Sequence, residues 1–336
     1  GQDEYASSIK WLYATYIPTE HSTFRIGRIG SPIFLYSDFL NVGYVYHWAK
    51  PPTDVYNYDT TVTGIDYIYQ NVFDTNDWSL EFTLGSQDQY VPATEANLTT
   101  RNGIGGVFTF THDGWLTFRS AYFQMQATFD SDRLHADNMI DAGFETAVAQ
   151  GILDQATANV VKPLLAPTMA PLINEVIEMT DEPVQYGEFA VRIDKGSWFS
   201  VAEWSTFRTD TYVFGHLESW YLSTGVRLDS AVWHLTYSRY DQYAKKQVYD
   251  DYYSTLPLNP TLAELADYYA RQIRATPAIA AASQWNTVTL GVSVDTSANT
   301  ALKFEVLYFE QDATVPTETG GIGSNMLFRT ALSATF

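Results

Sequence analysis

Hydrophobic and polar positions alternate with a period of two along most of this chain. In Trp78-Ser79-Leu80-Glu81-Phe82-Thr83-Leu84-Gly85 every second residue is large and apolar while its neighbours are small or polar, so an extended backbone sorts the two sets to opposite faces. Asn286 to Asp295 and Trp220 to Asp229 repeat the pattern. It predicts about thirteen strands, near 9–15, 22–30, 61–70, 78–88, 103–112, 115–129, 185–194, 198–209, 217–228, 231–241, 286–295, 299–310 and 326–336. Lengths of about ten residues match a tilted crossing of a bilayer.

The connections alternate in length. Pro18-Thr19-Glu20-His21, Asp74-Thr75-Asn76-Asp77, His112-Asp113-Gly114, Asp194-Lys195-Gly196-Ser197, Asp229-Ser230 and Asp295 to Asn299 are turn formers. Long connections lie between them, at about 31–60, 89–102, 130–184, 210–216, 242–285 and 311–325. Tight turns at one end and long loops at the other characterise outer-membrane β-barrels. The expected fold is all-β: a single transmembrane antiparallel β-barrel domain over 1–336, with helical extracellular loops at about 130–184 and 242–285. In the first of these, Ile140, Phe144, Val148, Ile152 and Leu153 fall at helical spacing, and Pro163, Pro167 and Pro171 are expected to cut the helix up. In the second, Thr261 with Glu264 forms a capping pair ahead of an apolar helical run.

Composition narrows the function classes. There is no cysteine, so disulfides and thiolate chemistry are excluded. No run of roughly 18 apolar residues occurs, which excludes a membrane helix, while a mean hydropathy of -0.18 suits strands that show only alternate residues to lipid. A net charge of -20 disfavours nucleic acid. No metal-ligand spacing and no phosphate-cradling glycine loop appears, so no cofactor and no metal is expected. An outer-membrane hydrolase is the enzymatic alternative, since His234 shares a face with Thr236 and Ser238; a polar stripe explains that spacing without catalysis. Gly1 reads as a processed or truncated start, and the compartment has to come from the fold.

The stretch from Thr23 to Tyr58 does not fit a surface loop. The strand Thr23 to Ile29 runs into Ser31-Pro32-Ile33-Phe34-Leu35-Tyr36-Ser37-Asp38-Phe39 and then Tyr44-Val45-Tyr46-His47-Trp48, a connection too apolar to lie in water. The expectation is that it folds back inside the barrel.

The carboxyl-terminal run, with Phe336, Leu332 and Phe328 at alternating positions, resembles the closing strand of Gram-negative outer-membrane proteins. Phe24-Arg25-Ile26-Gly27-Arg28, followed by a long loop with Pro32, resembles the strand before the constriction loop of sixteen-stranded trimeric porins. That resemblance implies an outer-membrane location, a homotrimer in contact with lipid bilayer and lipopolysaccharide, and passive diffusion of small hydrophilic solutes and ions. Single-chain bacterial barrels have even strand counts, so strands ahead of this sequence are expected, three of them making sixteen.

A diffusion pore is governed by the residues that line its narrowest part. Alternation turns Asp66, Arg119, Arg192, Arg227, Lys303, Glu305 and Arg329 inward, opposite apolar neighbours. Arg25 and Arg28 have opposite parity, and the resemblance favours Arg28 as a wall arginine facing Asp38 and Asp54 on the loop. Tyr36, Tyr44, Tyr46 and Trp48 are candidates for stacking on sugar rings, which would make the channel selective for oligosaccharides or other small nutrients; the alternative is that they anchor the loop.

Overall fold

The computed structural model describes residues 10–40, 42–56, 61–91, 96–211, 215–243, 250, 254–281, 283–297, 299–313 and 323–334. Among these residues thirteen strands lie side by side in chain order, each antiparallel to the next. They are β1 (Leu12–Thr19), β2 (Ser22–Gly30), β3 (Thr61–Phe73), β4 (Asn76–Val91), β5 (Ala96–His112), β6 (Leu116–Ser131) and β7 (Met179–Lys195). There follow β8 (Trp198–Thr209), β9 (His216–Leu228), β10 (Ala231–Tyr243), β11 (Ser283–Ser297), β12 (Thr300–Ala313) and β13 (Gly323–Ala334). Among the described residues β1 and β13 each pair on one side only, so the thirteen strands form a curled sheet that does not close on itself.

The tight turns hold aspartates with left-handed backbone, Asp74 (φ 56°) between β3 and β4 and Asp229 (φ 53°) between β9 and β10. Aspartate tolerates that region better than most residues because its short side chain bonds locally to backbone. At the other end the strands run further than their side-chain alternation suggests. β5 starts at Ala96 and β7 at Met179, so much of the expected loop 89–102 is ladder, paired from Gln87↔Thr100 to Val91↔Ala96. Asn97, Thr99, Thr100 and Arg101 hide the period of two there, but ladder bonds come from the backbone and need no apolar face. β1 begins at Leu12 rather than near residue 9, which lies outside the described residues, as does Phe336.

A row of glycines crosses the first hairpins. Gly27 pairs with Gly64, Gly64 with Gly85, and Gly85 with Gly103. Gly27 has φ +137°, which L side chains rarely adopt, and a Cβ on Gly64 would stand 2.0 Å from the Leu84 carbonyl oxygen. The register shifts just beyond the row on β4 and β5, so the strands bend where no side chains keep them apart. Gly64→Ala is therefore expected to cost about 1–3 kcal/mol, read as a lower urea midpoint and poorer recovery of the heat-modifiable form after refolding.

The two faces of the sheet differ sharply. Phe82, Phe189, Leu222, Leu235, Leu290 and Phe304 stand exposed on the outer face. Their neighbours on the other face are buried and polar: Ser205 bonds to Ser219 at 2.8 Å, Ser223 to Thr236 at 2.7 Å, and Glu188, Glu203, Lys303 and Glu305 lie among them. This face is concave, because the connection between β2 and β3 touches β6, β7, β8, β9, β10 and β12, and only a sheet wrapped around it brings those strands within reach. Trp78, Trp115 and Trp198 gather near the tight-turn rim, as an interfacial girdle would.

Among the described residues three helices of more than ten residues occupy the long connections: α1 (Ala136–Ala149), α2 (Gln155–Ile177) and α3 (Leu262–Ala281). The prolines do not cut α2; Pro163, Pro167 and Pro171 all lie inside it. Their spacing of four places them on one exposed stripe, where each missing N–H falls opposite a carbonyl that water can satisfy. The opposite stripe, Leu165, Met169, Ile173 and Ile177, is buried against α1 and α3. Asp154 caps α2 by accepting the Thr157 amide at 2.8 Å and its hydroxyl at 3.0 Å, bonds that hold its carboxyl below the usual range. In the first turn of α3, Glu264 accepts from the Thr261 amide and hydroxyl at 2.8 Å and is lowered for the same reason.

Candidate functional site

The loop from Ser31 to Tyr56 enters the concave face and crosses it. Its apolar residues explain why: Phe34, Trp48 and Val55 are each at most 1% exposed, packed against Val107, Phe123, Tyr186, Phe199, Val201 and Tyr221 of the wall. A surface loop could not bury them.

The rest of the fastening is polar, and most of it grips the loop's main chain. Arg119 donates to the Pro32 carbonyl and, at 2.7 Å, to Glu188. The Tyr186 hydroxyl donates to the Ile33 carbonyl at 2.8 Å. Glu203 accepts the Leu35 amide at 3.0 Å and the Tyr56 hydroxyl. Further on, Lys303 donates to carbonyls of the loop, Glu305 accepts the Ala49 amide at 2.8 Å, and the Trp48 indole donates to Thr236 at 2.9 Å. Asp54 accepts from Ser238 at 2.6 Å. Arg119, Lys303 and Glu305 of the wall and Asp54 of the loop are thus buried where the loop meets the wall.

Other expected site residues remain nearer open space. Arg192 donates to Asp194 at 2.7 Å, and Arg227 grips the same carboxylate through two nitrogens at 2.8 and 2.9 Å. With Tyr36, Tyr44, Tyr46 and Asp295 they line a cavity of about 320 Å³ between the loop and the tight-turn rim. On the opposite wall Arg25 donates to Asp66 and, at 2.7 Å, to Glu81, and Asp38, exposed on the loop, is within electrostatic reach of Arg25 and Glu81. Arg25 rather than Arg28 therefore joins the carboxylates. Arg28 makes a long 3.4 Å bond to Thr61 instead, its parity taking it away from the Asp66 face. Arg329 stands 4.0 Å from Glu305 at the edge of the anchored region.

The aromatic run divides in the same way. Trp48 is 1% exposed, with the Tyr36 and Tyr221 rings perpendicular to it at centroid distances of 5.6 and 5.5 Å, so neither of its faces is open to a sugar. Tyr36 and Tyr46 are each 8% exposed. Of the four, Tyr44 alone is half-buried rather than buried, beside Phe39 and Val45, which are 46% and 50% exposed. Of the residues behind the hydrolase alternative, His234 is 2% exposed with no hydrogen bond to its ring nitrogens, and Ser238 donates to Asp54. Among the described residues no group of three His, Cys, Asp or Glu side chains is placed to hold a metal.

Glu203, Glu81 and Tyr186 were not expected as site residues. Parity on β8 points to Glu203, the one carboxylate in Ser200-Val201-Ala202-Glu203-Trp204-Ser205. What sequence does not show is that its partner would be a backbone amide of a loop remote in sequence.

No family model matches the chain, and no curated protein sequence matches it. Among solved structures it is similar to a loop L8 deletion mutant of OmpT, an outer membrane protein of Vibrio cholerae, at 10% identity and TM-score 0.47, covering 94% of this chain and 76% of that one. It is similar to Pseudomonas putida OprB at 9% identity and TM-score 0.45, covering 94% of this chain and 70% of that one. It is similar also to Salmonella typhi OmpF in complex with daunomycin, at 10% identity and TM-score 0.44, covering 93% and 74%.

Proposed function

We propose that this chain is the wall of a Gram-negative outer-membrane channel that passes small hydrophilic solutes and ions by diffusion, narrowed by the loop from Ser31 to Tyr56. The observation that carries this reading is the inversion of the sheet: apolar side chains stand exposed on the outer face while charges and hydroxyls line the inner one. In water that arrangement would be costly. In a bilayer it is favourable, since a charge on the lipid face costs about 2–4 kcal/mol at the midplane. Ion selectivity then falls to the charges left around the open space, Asp38, Arg25, Arg192, Arg227 and Asp295. Burial of Trp48, Tyr36 and Tyr46 supports general diffusion over an aromatic track for oligosaccharides. A homotrimer in contact with lipopolysaccharide belongs to the same proposal, and chemical cross-linking in detergent tests the stoichiometry.

Reconstitution into planar bilayers is the direct test. Discrete conductance steps are expected, and a protein that folds to a heat-modifiable barrel yet conducts nothing overturns the reading. Replacing Arg192 and Arg227 together by glutamine leaves Asp194 and Asp295 unbalanced. The reversal potential in a salt gradient should then move toward cation preference, and an unchanged value would remove this cavity from the current path.

A further inference from the structure

Lys303 lies on the inner face of β12 and is 1% exposed. Its Nζ donates to the backbone carbonyls of Gly43, Tyr46 and Trp48, the last at 2.9 Å, and stands 4.8 Å from the centroid of the Tyr46 ring. Three acceptors require three N–H donors, which an ammonium has and a neutral amine lacks. The ring adds a π face toward the same charge. Lys303 is therefore enclosed as a cation by the loop, as though by a ligand cage, instead of reaching into the lumen as a wall lysine could.

The surroundings make this the fastening point of the loop's far half. Two residues along the same face, Glu305 accepts the Ala49 amide at 2.8 Å, so β12 holds carbonyls with a cation and an amide with an anion. Gly43 approaches β13 so closely that a Cβ there would lie 2.9 Å from the Ser333 hydroxyl. Between these fixed points, Tyr44 and Val45 turn toward the cavity that Arg192 and Arg227 line. The segment that shapes the open space is thus held from behind, by its own main chain.

We infer that Lys303 is a positioning residue, whose ammonium latches residues 43–48 to the wall and so sets the bore beside them. Its effect on conductance rests on the channel reading above, while the latch itself can be read without any current. The chain has no cysteine, so Val45→Cys carries a single nitroxide on an exposed position of the held segment. With Lys303 present, the label should give an immobilised electron paramagnetic resonance spectrum. Lys303→Ala should lose the immobilised component. n-Propylammonium, which replaces the part of the side chain beyond Cβ, should restore it, and tetramethylammonium, which has no N–H, should not. Lys303→Met keeps the stem volume and should also lose the component, which serves if the alanine variant does not reach the heat-modifiable form.

In bilayers the same variants should open with larger and noisier steps, quieted by n-propylammonium. An immobile spectrum in both variants, or equal effects of the two ammonium ions, overturns the latch. Wild-type protein that conducts nothing overturns the channel reading and leaves the latch to the spectra.

Discussion

Bridging Ile33 to Tyr56 with a short glycine-serine segment is expected to raise single-channel conductance several-fold and to raise the size of solute admitted in liposome swelling. A short bridge suffices, because the loop returns close to where it entered: the Phe34 and Tyr56 rings lie 4.8 Å apart. The removed residues include Phe34, Trp48 and Val55, which fill the concave interior. Their loss opens volume but also bares Val107, Phe123, Tyr186, Phe199, Val201 and Tyr221 to lumen water. At about 1.5–3 kcal/mol per large apolar side chain, that exposure costs on the order of 10 kcal/mol. The variant should therefore fold, since the strand ladders are untouched, but with a markedly lower urea midpoint. Conductance equal to that of the parent would mean that the loop does not stand in the path of the ions.

The second large effect is expected at Arg119. Arg119 and Glu188 are 6% and 2% exposed, and the guanidinium also holds the Pro32 carbonyl. Removing one partner of a buried pair costs about 3–5 kcal/mol, mostly because the other charge stays behind unpaired. Arg119→Met should cost that much, whereas Arg119→Met with Glu188→Met should recover most of it, the pair being replaced by volume. The single variant should also loosen the loop at its entry, where Pro32 loses its donor, and so add noise to the open channel. A double variant no more stable than the single one would show that the pair is solvated in the native state.

The alternation of side chains made the strands legible because half of each strand faces an apolar environment, as Leu302, Phe304 and Val306 do against Lys303 and Glu305. It fails over Thr99 to Asn102, where both faces are polar, which is why the expected loop of 89–102 turns out to be mostly ladder. The inward path of the loop was legible from its aromatic content, since residues such as Phe34 and Trp48 need cover. The identity of the cover was not. Side chains that bond main-chain atoms, as Glu203 does with Leu35 and Lys303 with Gly43, leave no complementary residue in the sequence to point at. Charge and parity therefore marked Lys303 without showing that loop carbonyls would enclose it, and they could not separate Arg25 from Arg28. The prolines of α2 misled in the same way, because their effect depends on which helix stripe meets water.

A fastening made through peptide groups has a practical corollary. Amides and carbonyls are the same whatever residue bears them, so Asp38, Phe39 and Val45, exposed on the loop, carry little of the attachment. A combinatorial library at those positions would vary which molecules are admitted while the frame stayed constant, making permeability a trait that can be rewritten without rebuilding the protein.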